Sequence, residues 1–148
     1  MKNKAFGFYT AALTLILTVA TLVAVLIYGS KGGGGNRPGP DGGSMTGSRG
    51  GVVTSLVPIA LGAAAVCEVS LLFGEKVWTD FTGIIAATLL AYAMMTVLSD
   101  GIWNVAEAFN GIKMVGMPEL SGMNITMAVL NLVAIVTAII TNFAQKSK

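Results

Sequence analysis

AFGFYTAALTLILTVATLVAVLIYG, residues 5–29, decides the fold. It holds no charged side chain from end to end. About 20 apolar residues, rising 1.5 Å each as an α-helix, cross the ~30 Å hydrocarbon core of a bilayer. Three later segments repeat the pattern: residues 52–74, 81–99 and 125–143, none with a basic residue. The composition agrees. Of 148 residues, 54% are hydrophobic and 11% charged, against roughly 25% charged in a soluble domain. The expected fold is all-α: a four-transmembrane-helix antiparallel bundle, one integral membrane domain over residues 1–148.

Lys2 and Lys4 ahead of the first segment give it the basic start of a secretory signal. Its apolar run exceeds the roughly 7–15 residues of a signal core, and no Ala-x-Ala site follows, so it reads as a retained helix. Phe6, Phe8 and Tyr9 at one end and Tyr28 at the other are expected at the two membrane interfaces. Four spans put Lys2, Lys4, Lys76, Lys146 and Lys148 on one side, and Lys31, Arg37, Arg49 and Lys113 on the other. The basic clusters beside the two termini place both in the cytoplasm.

The connections differ in kind. Residues 30–51 are rich in Gly, Pro and Ser, with Gly32–Gly35 consecutive. Such a stretch buries too little apolar surface to fold alone and reads as a flexible or extended loop. It lacks the Gly-Lys-Ser/Thr ending of a phosphate loop. The second connection, about residues 75–80, is short and forces a helical hairpin. In the third, Ile102, Val105, Ala106 and Phe109 recur at helical spacing, with Asn104 and Glu107 between them. This predicts a short amphipathic helix over about 102–110 on the outer surface, anchored by Trp103, capped by Asp100 and stopped by Gly111. The alternative is that the third span simply continues.

Helices in lipid associate through small and polar residues. Each span carries such a stripe: Thr10, Thr14, Thr18 and Thr21; Ala60, Ala64 and Glu68; Gly83, Ala87 and Ala91; and Asn124, Ala128, Asn131, Ala138 and Asn142. These either hold one bundle together or face other copies of the chain. Glu68 stands out, because an acid within a span costs a few kcal/mol and marks a functional position by default. It is the candidate proton or cation site. A structural reading stands beside it: Glu68 lies about two turns from Glu75, and could bond a threonine of the first helix or an asparagine of the fourth.

The chemistry excluded is broad. The chain has no histidine, and Cys67 is its only cysteine. Histidine catalysis and an intramolecular disulfide are therefore out, and Cys67 reads as a packing residue. The net charge of +2 is scattered, so no nucleic-acid partner is expected. Asp100, Glu107 and Glu119 lack ligand spacing and read as a solvated rim. Met114, Met117, Met123 and Met127 read as packing rather than copper ligands. Asn124-Ile125-Thr126 matches a glycosylation sequon but abuts the membrane. No nucleophile–base pair or cofactor motif is present, so no catalytic residue, cofactor or metal is expected and the chain reads as a non-enzyme.

Two resemblances follow from particular residues. Lys4-Ala5-Phe6-Gly7-Phe8-Tyr9, with the apolar helix ending at Tyr28-Gly29, resembles the start of a group of small, uncharacterised four-helix membrane proteins of Gram-positive bacteria. That implies a bacterial cell membrane and no particular activity. Ala64-Ala65-Val66-Cys67-Glu68-Val69 is similar to the helix of small multidrug-resistance transporters that carries their proton- and drug-binding glutamate. Those proteins place it in their first span, whereas Glu68 is in the second. The functional expectation is a self-associating scaffold or assembly subunit, partnered by lipid and by its own copies or a membrane complex. The alternative is a proton-coupled small transporter or channel subunit using Glu68.

Overall fold

A computed structural model describes residues 2–31, 37–38, 44–45, 50–73, 78–112 and 118–146. Helix α1 covers Lys2–Ser30. A minimal antiparallel pair follows, β1 at Arg37–Pro38 and β2 at Ser44–Met45, with Arg37 opposite Met45. Then come α2 (Gly50–Phe73), α3 (Trp78–Asn110), a single 3-10 turn (Pro118–Leu120) and α4 (Ser121–Lys146). Four stretches are long and apolar enough to cross a membrane: Phe6–Ser30, Ser55–Phe73, Phe81–Asn110 and Pro118–Ala144. The chain is thus a multi-pass, four-helix membrane bundle. Most of the glycine-rich loop, the α2–α3 connection, Met114 and Met117 lie outside the described residues.

The four helices form a ring in which α1 packs on α2 and α4, and α3 packs on α2 and α4. The buried positions explain why. In α1 they are Gly7, Ala11, Thr14, Thr18, Thr21, Val25 and Tyr28; in α4, with the preceding turn, they are Leu120, Asn124, Met127, Asn131, Ala134, Ala138 and Thr141. Steps of three and four alternate without a break, a repeat of 3.5. An ideal helix turns every 3.6 residues, so a strict 3.5 repeat keeps its seam on the partners by left-handed supercoiling. Leucines, isoleucines and phenylalanines crowd the outward face instead, which suits lipid rather than water.

Three expectations change. The stripe Gly83, Ala87, Ala91 begins correctly with buried Gly83, but the buried line continues through Ala86, Leu90, Ala93 and Val97, leaving Ala87 and Ala91 half-buried. Steps of four overrun a 3.6-residue turn by about 40° each, which carries Ala87 and Ala91 off this seam, although Ala60, Ala64 and Glu68 on α2 stay buried at the same spacing. Residues 102–110 are helical, but as the unbroken end of α3. That end is polar inward: Asp100, Asn104 and Glu107 are buried, while Ile102, Trp103 and Phe109 are exposed. Gly101 does not break the helix, because it lies against the Asn124 side chain, where a Cβ would sit 2.8 Å from the Asn124 Cβ. The stop is Gly111, in the left-handed region at φ 68°, with its N–H donated to the Glu107 carbonyl at 3.0 Å.

Tyr28 is the third change. It is 0% exposed and turns into the bundle, whereas Phe6, Phe8 and Tyr9 at the other end of α1 are exposed. An aromatic belt residue keeps its polar tip in interfacial water. The Tyr28 hydroxyl has protein partners, described below.

Candidate functional site

Among the described residues, ten polar or charged ones are buried: Thr14, Thr18, Thr21, Glu68, Asp100, Asn104, Glu107, Asn124, Asn131 and Thr141. They fall into two groups that the bundle treats differently.

The first group closes the end of the bundle where α1 finishes. The Tyr28 hydroxyl donates to Asp100 Oδ2 at 2.7 Å. Asn104 Nδ2 donates to the Tyr28 oxygen at 3.2 Å and to Asn124 Oδ1 at 3.1 Å. One network therefore ties α1, α3 and α4 together, and Glu107 is buried one further turn along α3. The expectation of a solvated acidic rim holds for exposed Glu119 and fails for Asp100 and Glu107. They repeat at steps of seven on the seam, so their side chains point inward. No group of three or more acidic or cysteine ligands suited to a metal occurs among the described residues. Asn124, at 3% exposure and held by Asn104, is out of reach of a glycosyltransferase.

The rest lie towards mid-depth, except Thr141, three residues from the end of its span. Thr18 is central in Phe6–Ser30, and Asn131 is central in Pro118–Ala144. Glu68, 1% exposed, reaches from α2 to Thr18, whose hydroxyl donates to Glu68 Oε1 at 2.9 Å. The same hydroxyl has a second acceptor at 2.9 Å, the Thr14 carbonyl. It has one proton for two acceptors. Glu68 Oε2 and both amide atoms of Asn131, the latter 0% exposed, have no hydrogen-bond partner. Thr14, Thr21 and Thr141 give their protons to the carbonyls of Thr10, Leu17 and Thr137, which satisfies them within their own helices. Each keeps its hydroxyl lone pairs.

Of the residues singled out in the sequence, Thr14, Thr18, Ala60, Ala64, Glu68, Gly83 and Asn131 all face the interior of one bundle. Helix packing within the chain takes up these positions, while Thr10, Ala87, Ala91, Ala128 and Asn142 of the same stripes are half-buried. Sequence reasoning missed the Tyr28–Asp100–Asn104–Asn124 network. Its signal was present as a step-of-seven polar line, Asn124 to Asn131 on the fourth helix and Asp100 to Glu107 on the third. No family model, no curated protein and no solved structure matches the chain.

Proposed function

We propose that the protein is a membrane-embedded proton- or cation-binding subunit of a transport pathway, with Glu68 as the binding group. One observation carries this reading: a carboxyl at mid-depth, sealed inside the bundle, has one oxygen partnered and the other free. A buried polar atom without a partner costs about 1–3 kcal/mol, and an intramembrane acid costs a few kcal/mol more. Leucine at 68 would avoid both costs, so the acid is explained by what it binds.

The neighbouring threonine suits a group that gains and loses a proton. With Glu68 ionised, the Thr18 hydroxyl donates to Oε1. With Glu68 protonated, the carboxyl O–H donates to the Thr18 oxygen, and the Thr18 proton turns to the Thr14 carbonyl, also 2.9 Å away. Rotation about one Cβ–Oγ bond therefore accommodates both forms without moving a helix. In this reading the chain lies in a bacterial cell membrane with both termini cytoplasmic, and two or more copies form the pathway. It catalyses no covalent step.

Purified protein in vesicles loaded with a pH-sensitive dye tests the reading. An imposed potential should drive proton or cation flux through the parent, and Glu68→Gln should abolish it while leaving helicity and particle size unchanged. Equal flux in the two proteins refutes the role of Glu68.

A further inference from the structure

Asn131 is the buried group that proton binding at Glu68 leaves unexplained. It is completely buried in the middle of the α4 seam, with neither its oxygen nor its nitrogen bonded. Position along the bundle relates it to Glu68. Tyr28 of α1 and Asn124 of α4 meet through Asn104. Seven residues inward from each, along antiparallel helices, Thr21 stands level with Asn131. Thr18, and with it the Glu68 carboxyl, lies one turn, or about 5 Å, further in.

We infer that Glu68, Thr18 and Asn131 form a site for a small alkali cation, Na⁺ or Li⁺, stripped of its water. The inference rests on Glu68 being the binding group proposed above. Three observations support the chemistry. The free atoms include two hard oxygens, Glu68 Oε2 and Asn131 Oδ1, and hard oxygens suit alkali and alkaline-earth ions. The Thr18 hydroxyl, whose proton can turn to the Thr14 carbonyl, offers a third. Charge selects the monovalent ion. Of the buried titratable side chains among the described residues, Tyr28, Asp100 and Glu107 belong to the closed end, and Glu68 is the one at mid-depth. One carboxylate neutralises one positive charge. A divalent ion would leave a net charge in the hydrocarbon, at a cost of several kcal/mol in insertion terms. From the other helices, the buried residues counted to this level along the bundle, Thr21, Leu90, Ala93 and Ala134, bring no charge.

The site binds a proton and a cation in competition, because each neutralises the one Glu68 carboxylate and each uses the Thr18 hydroxyl oxygen. A hydrophobic carbodiimide, which modifies protonated carboxyl groups, reads that competition in the intact detergent-solubilised protein. Glu68 should be labelled, as located by mass spectrometry of the peptide. Na⁺ at ten times its dissociation constant should slow labelling roughly ten-fold, as follows from simple competition. Equal N-methylglucamine should not slow it. Asn131→Leu should still be labelled, and should lose at least most of the protection by Na⁺.

A second measurement guards against a folding defect. Leucine at 131 removes an unbonded buried amide, so the variant should unfold at the same temperature as the parent or higher in Na⁺-free buffer. Na⁺ should raise the unfolding temperature of the parent and leave that of Asn131→Leu unmoved. Labelling without Na⁺ protection overturns the cation site and leaves proton binding standing. Absence of labelling at Glu68 in any buffer overturns both. Unchanged Na⁺ protection in Asn131→Leu removes Asn131 from the site.

Discussion

Tyr28→Phe is the substitution whose effect the structure determines most directly. It deletes one oxygen and leaves the ring in place, so packing is unchanged. The oxygen gives one hydrogen bond, 2.7 Å to Asp100 Oδ2, and receives one, 3.2 Å from Asn104 Nδ2. Hydrogen bonds between membrane helices average about 0.6 kcal/mol each, with a maximum of about 1.7. Two average bonds give about 1.2 kcal/mol, and two of the strongest about 3.4. The pair with Asp100 is short and involves an acid, which favours the upper half of that range. The expected loss is therefore about 1–3 kcal/mol. Unfolding in mixed micelles of mild detergent and dodecyl sulfate, followed by far-UV circular dichroism, measures it. A double-mutant cycle of Tyr28→Phe with Asp100→Ala isolates the pair and should give a coupling of about 0.6–1.7 kcal/mol. A coupling indistinguishable from zero would sink the claim that this end is closed by the bundle's own side chains. It would mean that interfacial water serves the hydroxyl equally well.

Other outcomes follow from the same packing. Gly101→Ala places its Cβ 2.8 Å from both Cβ and Cγ of Asn124, whose side chain is already engaged by Asn104; it should cost about 1–3 kcal/mol as overpacking. Gly122→Ala meets nothing within 4 Å and should change stability by less than about 0.5 kcal/mol, so equal effects in the same micelle titration would refute the close α3–α4 approach. Glu68→Leu should leave the unfolding midpoint equal or raised while vesicle flux disappears, and a large loss of stability would show that the carboxyl is chiefly structural. With the half-buried Cys67 replaced by serine, a cysteine at exposed Ser30 should react with an impermeant maleimide on intact cells. One at Ala144 should react only after permeabilisation, and the opposite pattern inverts the topology.

Much of this was legible in the sequence because lipid simplifies the problem. Backbone groups in hydrocarbon must bond within their own helix, so an uncharged run such as residues 5–29 has one structural solution. The inward faces of α1, α2 and α4 were legible too, since their small and polar residues step by threes and fours on the seam. The stripe on α3 was misread because its buried line turns from Gly83 to Ala86, Leu90 and Ala93, with larger Leu90 taking a place that small residues were expected to fill. Tyr28 and Asp100 were read singly, one as an interface aromatic and one as a cap, because 72 residues separate them. Each is common in its expected role, and their partnership exists only once α1 and α3 stand side by side. The polarity of residues 102–110 was seen, but its direction was not. An amphipathic helix on a membrane surface and the end of a membrane bundle show the same alternation, and only the bundle points the polar side toward protein. Gly101 carried the same ambiguity. Glycine ends helices, and it also lets two helices touch.

The contrast between the two buried polar groups is itself an argument about function. At the closed end, Tyr28, Asp100, Asn104 and Asn124 bond to one another across three helices. Such a network repays much of the cost of burying its members and positions α1 against α3 and α4. At mid-depth, Thr18 is shared between two acceptors, Glu68 keeps a free oxygen and Asn131 bonds to nothing. Beyond the single Thr18–Glu68 bond between α1 and α2, that arrangement adds nothing to helix pairing, and apolar residues of similar size would pack there without unbonded polar atoms. Selection for stability alone explains the first group and runs against the second. Local violations of good packing are expected where a protein binds or reacts; among the described residues three of the four unbonded buried polar atoms belong to Glu68 and Asn131, and the fourth is Asn124 Nδ2 at the closed end. A ligand that supplies the missing partners would turn the least stable layer of the bundle into a stable one. Ligand binding should therefore stiffen the centre of α4 and the stretch of α2 around Glu68, five residues before its end, more than the Tyr28–Asn124 end of the bundle. Hydrogen exchange measured with and without Na⁺ would show this as added protection around Glu68 and Asn131 and little change around Tyr28 and Asn124. Protection spread evenly along all four helices would contradict it.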